Sequence, residues 1–193
     1  MTELFPGKTL IDEAEEHLAV LGSLQQAFSR LPSSAVEATA AADLALEEAD
    51  RDYRRLFEGP EKPLCPPWES AFNSEDDLLF QRETLEVRGF YRRQGLAIDV
   101  SGREPEDHIG FEIAFCSHLI AMAKHAHEAG DSARRDEALT ELSYFCREHI
   151  GAWGPAWSDQ LAAKADSAFY QEAAAMLKEE LETLDSLLSA LAA

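Results

Sequence analysis

Apolar residues recur every three or four positions along most of this 193-residue chain, and β-branched residues are sparse outside the short LAIDV segment at 96–100. That period lines up the apolar groups on one side of an α-helix, and the alanine, leucine and glutamate that dominate the sequence lose little side-chain freedom there. Helix is therefore predicted nearly everywhere, and the architecture is an all-α bundle. The length suits one domain with a sizeable core. A single helical domain over 1–193 is expected, with an N-terminal half over 1–95, a possible hinge near 95–104 and a C-terminal half over 105–193.

The first helix is predicted over about 10–31, with Leu18, Leu21, Leu24, Ala27 and Phe28 in step and Pro32-Ser33-Ser34 as its stop. The second, about 35–57, carries Leu44, Leu46, Tyr53, Leu56 and Phe57 and ends at Gly59-Pro60. Residues 59–73 hold four of the eight prolines and read as an ordered loop in which Leu64, Trp68 and Phe72 supply the burial. A third helix spans about 74–94, from Ser74 and an acidic first turn to a stop at Gly95. A long helix at 105–129 opens with Pro105 at its first position, and another fills 132–149. GAWGPAW at 151–157 reads as an aromatic corner. The final stretch is expected to break once and then form an amphipathic helix with Phe169, Ala173, Met176, Leu177, Leu184, Leu188 and Leu191 on one side.

Charge narrows the partners. Seventeen Lys and Arg stand against 37 Asp and Glu, a net charge of −20. Such an excess repels nucleic-acid phosphates and anionic lipid and attracts a basic partner or a local pair of arginines, although acidic solubility alone would also explain it. The start of the chain has no basic region followed by an apolar run, and no stretch approaches the roughly 18 apolar residues of a membrane span. Cys65, Cys116 and Cys146 are far apart, with no C-x-x-C spacing, so free thiols and a cytoplasmic location are expected.

The segment from Glu104 to Glu112 carries the most information. Two apolar rows follow it on the long helix: Ile109, Ile113, Cys116 and Ile120, then Phe111, Phe115, Leu119 and Met122. Glu106, Gly110, Ser117, Lys124 and Glu128 share the wet face. His108 and Glu112 fall among the apolar rows, where an unpaired polar group costs about 1–3 kcal/mol. Three partners are open to them: each other, a neighbouring helix end, or a ligand. Asp107 lies at the helix start, where the dipole favours a carboxylate, and Glu104, Glu106 and Asp107 together set up a negative field beside aromatic surface. A guanidinium with an apolar flank suits such a place.

Other chemistry finds little support. A di-iron bundle needs Glu-x-x-His on two helices; Glu104 to His108 is one residue too long, and His125 and His127 face different ways. No phosphate-cradling glycine loop and no G-x-S-x-G is present. The last helix has an acidic polar face that anionic lipid would repel.

In order, the chain contains Asp52-Tyr53 with Leu56-Phe57, Pro66-Pro67-Trp68-Glu69-Ser70, Tyr91 with Gly95-Leu96, Glu104-Pro105-x-Asp107-His108-Ile109 with Glu112, and Arg147-Glu148-His149-Ile150 with Trp153. This series resembles the TorD/DmsD family of cytoplasmic chaperones for molybdoenzymes over about 15–180. The resemblance implies an all-helical fold, no catalysis, no cofactor and no metal. It also implies binding of the twin-arginine signal peptide, or leader, of a molybdenum-containing oxidoreductase until its cofactor is inserted. Carried over by motif, the signal-peptide-binding residues are Trp68, Tyr91, Gly95, Leu96, Glu104, Pro105, Asp107 and His108. Glu104 and Asp107 would meet the arginines, while Trp68, Tyr91 and Leu96 would take the apolar stretch. His108 would orient Asp107 or line the groove. Weak guanine-nucleotide binding is also implied, without a phosphate loop to support it. The hinge near 95–104, which could exchange helices between two chains, leads to the expectation of a monomer with a possible domain-swapped dimer. Trp68 departs from the tyrosine often found in the family, and nothing selects among DMSO, TMAO or other reductases as client. The competing readings are a metal-dependent bundle enzyme and a structural adaptor for the mature enzyme surface.

Overall fold

The computed structural model describes residues 10–29, 40–58, 62–74, 81–98 and 104–191. Its helices are α1 (Ala14–Phe28), α2 (Ala40–Tyr53) running into a π-helical turn at Arg54–Glu58, the short α3 (Glu69–Asn73), α4 (Arg82–Arg93), α5 (Ile109–Glu128), α6 (Ser132–Glu148), α7 (Ile150–Lys164) and α8 (Ala168–Leu191). The described residues thus form the all-α bundle the apolar period predicts. α5 packs against α1 and α6, and α8 packs against α7 and α1. Pro32–Ser34, the predicted helix start at 35–39, Gly59-Pro60, the acidic turn after Ser74 and Gly102 lie outside the described residues.

Five details depart from the sequence pattern. GAWGPAW is no corner: Ile150–Lys164 is continuous helix with Pro155 inside it, and the chain turns at His149 instead. One helix bond is forgone at Pro155, while the indoles of Trp153 and Trp157 are almost wholly buried and pack 5.8 Å apart. Gly154 belongs to this face: a Cβ there would lie 2.6 Å from Leu181 Cδ1 on α8, so a larger residue would have to push that side chain aside. The long helix begins at Ile109 rather than at Pro105, since residues 106–107 form a turn. Glu106 and Gly110, assigned to the wet face, are buried.

The fourth and fifth departures are matters of helical phase and loop structure. On α8 the inward residues are Tyr170, Ala173, Ala174, Leu177, Leu181, Leu184 and Leu188, which recur at three- and four-residue spacing along one face. Phe169 and Met176 sit one residue out of step and are exposed. In the proline-rich loop Leu64 is exposed, whereas Cys65 is buried and residues 69–73 coil into α3.

Two buried polar ties close the bundle. His17 Nδ1 meets Glu180 Oε1 at 2.8 Å and joins α1 to α8. Asp52 Oδ2 accepts from the Asp166 and Ser167 amides and from the Ser167 hydroxyl, so a side chain of α2 caps α8, and Arg55 donates to its other oxygen. The hydrogen bond to Glu180 raises the His17 pKa against the opposing effect of burial. A raised histidine pKa means the tie contributes fully below the unfolded value of about 6.5 and is lost as pH rises through the folded value. Urea unfolding of the wild type and Glu180→Gln across that window is expected to converge as pH rises, with the wild type more stable on the acid side.

Candidate functional site

The site begins with two short segments that pair side by side. Pro66 and Pro67 hold the backbone extended, and Trp68 and His108 form an isolated antiparallel bridge. The Ile109 amide donates to Pro67 O at 2.8 Å, and the Glu69 amide donates to Asp107 O at 3.0 Å. This brings the two most distinctive motifs of the sequence into contact, with the Trp68 and His108 rings edge to face at 5.8 Å.

Each segment also starts a helix. His108 is the N-cap of α5, its Nδ1 accepting from the Gly110 amide at 3.0 Å. Burial pushes its pKa down to about 4, against the pull of Asp107, so the ring is neutral near pH 7. Trp68 precedes α3 but has no side chain able to cap it. Asp107 does this from across the bridge. Its Oδ2 accepts from the Ser70 amide and its Oδ1 from the Thr84 hydroxyl of α4, both at 2.8 Å. Asp107 is wholly buried, and its carboxylate ties α3, α4 and the start of α5 together.

A layer of acid lies behind this corner. Glu69 Oε2 pairs with His149 Nδ1 at 2.9 Å, and Glu112 Oε2 accepts from Trp153 Nε1 at 3.1 Å. Glu112 thus takes an indole as partner, not His108, and its Oε1 is buried without one. Burial, reinforced by the nearby Glu69, raises the Glu112 pKa well above the usual range. Burial likewise raises that of Glu69, with His149 opposing. A neutral Glu112 relieves the repulsion among three buried carboxyl groups. Since its folded pKa is raised, the unfolded chain ionises first, and stability falls as pH climbs from the unfolded carboxyl value towards the folded one. Glu112→Gln removes that penalty and is expected to flatten the decline of stability with rising pH, as read by urea denaturation.

On the outer side the three acids of the 104–107 segment diverge. Glu106 is held by Arg88, whose Nε and Nη2 reach its two oxygens at 2.6 and 2.9 Å. That contact lowers its pKa against the effect of burial. Asp107 faces inward. Glu104 alone is exposed; partial desolvation of its carboxyl raises its pKa, the nearby Trp68 indole N–H opposes this, and Glu58 adds to it. Pro105, next in sequence, is buried. The shared negative field expected from three carboxylates reduces to the exposed Glu104, because the fold satisfies the other two.

Beside this corner runs a cleft. Gly95 ends α4 with φ 70°, a conformation glycine adopts without steric penalty. The Leu96 amide then donates to Tyr91 O at 2.9 Å, which turns residues 96–98 back over the helix. Tyr91 donates to Glu106 O at 3.1 Å and underlies both sides of that segment. On one side Tyr91, Leu96, Ile98, Phe111, Phe115 and His118 line an apolar hollow of about 280 Å³. On the other, Arg88, Arg92 and Glu106 line a more polar one of about 330 Å³. His118 Nε2 is buried without a partner.

Trp68, Glu104, Pro105, Asp107 and His108 therefore gather at the bridged corner, and Tyr91, Gly95 and Leu96 shape the adjoining cleft. The carboxylate of Asp107 and the ring nitrogen of His108 are engaged within the protein. Sequence reasoning missed Arg88, which shares a helix face with Tyr91 three residues on, and gave no partners to Glu69 and His149, although both lie in the motifs. No group of three or more metal-ligating side chains occurs among the described residues, nor does a helix long and apolar enough to cross a membrane.

Comparison with known proteins places this geometry in context. The family model described as nitrate reductase delta subunit matches residues 12–159. Similar individual proteins include the probable Tat proofreading chaperone DmsD of Haemophilus influenzae, 28% identical over 130 residues, which are 67% of this chain and 57% of that protein. The Tat proofreading chaperone DmsD of Salmonella typhi is 30% identical over 125 residues, 65% of this chain and 54% of its own length. The chaperone protein TorD of Vibrio cholerae is 27% identical over 150 residues, 76% of this chain and 66% of that protein. The chain spans little more than half the length of the DmsD relatives.

Proposed function

Because the chain belongs to the TorD/DmsD family, we propose that it is a cytoplasmic maturation chaperone that binds the twin-arginine leader of a molybdoenzyme precursor and holds it until the cofactor is in place. In this reading it catalyses no reaction. The observation that carries the reading is the apolar cleft under residues 96–98, set beside a corner whose one exposed carboxylate is Glu104.

A leader of this class has two guanidinium groups followed by an apolar segment. Glu104 meets a guanidinium at the rim, where Trp68 offers a flat flank. The apolar segment enters between Leu96, Ile98, Phe111 and Phe115. Asp107, His108 and Pro105 fix the wall against which the peptide lies, rather than meeting it with their polar atoms. The charge of −20 draws a basic peptide in quickly and adds less to the final affinity.

Calorimetric titration with a twin-arginine leader peptide, and with its twin-lysine counterpart, tests the proposal. Saturable binding of the first, weakened in the second and by added salt, is expected. No binding of either, together with undiminished capture of a leader-deleted client, would favour an adaptor for the mature enzyme surface.

A further inference from the structure

Cys116 on α5 and Cys146 on α6 bring their sulfurs to 4.0 Å across the contact between these helices. The two are not equivalent. Cys116 has no exposure, whereas Cys146 retains 6% and borders an open cleft of about 450 Å³ with Arg147, Gly151, Pro155 and Leu181. Cys146 is the residue nearer the solvent, and Cys116 stands behind it. We propose that Cys116 and Cys146 are an oxidisable dithiol that closes to an intramolecular disulfide when a hydroperoxide reaches Cys146.

The chemistry takes two steps. The Cys146 thiolate attacks the distal peroxide oxygen; the O–O bond breaks, hydroxide leaves and takes up a proton as water, and Cys146 becomes a sulfenic acid. Cys116 then attacks the Cys146 sulfur. The S–S bond forms, the S–O bond breaks, and the departing hydroxide takes the Cys116 proton to give a second water. Two thiols lose two electrons and the peroxide gains them. Sulfurs at 4.0 Å must approach by about 2 Å to reach the disulfide bond length. The neighbouring Cys146, followed by burial, raises the Cys116 pKa well above the usual value, so Cys146 and not Cys116 is the thiol that meets the peroxide first.

Cys65 supplies an internal control. It is buried, and burial pushes its thiol up to about 12 against the pull of Lys164. It is expected to stay reduced.

The test uses the folded full chain exposed briefly to hydrogen peroxide, quenched, denatured and alkylated with a maleimide. Intact mass and peptide mapping should then show one maleimide, on Cys65, a loss of about 2 Da for the two hydrogens removed, and a cross-linked pair of peptides containing Cys116 and Cys146. Three maleimides, a Cys146 sulfinic acid beside an alkylated Cys116, or a disulfide between chains would each overturn the proposal. In Cys116→Ser, Cys146 is expected to persist as a sulfenic acid trapped by dimedone; a folded variant without that adduct would contradict the order of attack. The wild-type count decides the matter even if the variant fails to fold.

Discussion

Asp107→Ala is expected to lower the unfolding free energy by about 2–5 kcal/mol, because it strands two buried donors, each of which costs about 1–3 kcal/mol unpaired. The donors are the Ser70 amide at the start of α3 and the Thr84 hydroxyl on α4. Asp107→Asn should cost less than half as much, since its amide oxygen keeps one of these bonds and the Thr84 hydroxyl can turn to accept. Urea denaturation at pH 7 reads the difference. A loss of leader binding in Asp107→Ala is then a consequence of a loosened corner. At a solvent-facing ligand contact, by contrast, the alanine variant would remain as stable as the wild type.

Glu104→Lys is expected to do the reverse. It should leave the urea midpoint nearly unchanged, since Glu104 is exposed and lies near Glu58. Leader affinity should fall by roughly tenfold or more, the worth of a charge-assisted hydrogen bond of about 1.5–3 kcal/mol. Titration calorimetry at low and moderate salt measures both the loss and its screening. Equal affinity in the variant and wild type would remove Glu104 from the site.

The contrast between these carboxylates shows what the sequence could and could not convey. Apolar spacing located α1, α5, α6 and α8, because helical burial is periodic and local. Placement one residue out of step misassigned Phe169 and Met176, for the inward face is set by what α8 packs against. GAWGPAW looked like a break because glycine and proline disfavour helix locally, yet two buried indoles and close packing on Leu181 override that preference. The grouping of Trp68 with residues 104–108 was legible as motif, but the bridge that joins them spans 40 residues and leaves no periodic trace. Nor can a sequence show that Arg88 occupies Glu106 or that Asp107 turns inward to cap a helix whose own N-cap is a tryptophan. Three adjacent acids read alike until the fold gives them different partners.

The central claim, that a leader lies in the cleft between residues 96–98 and the first turns of α5, is tested most directly by amide hydrogen exchange with and without a twin-arginine leader peptide. Slowed exchange should centre on 91–98 and 104–118. Protection confined to the α6–α8 face, with those two segments unchanged at saturating peptide, would contradict it.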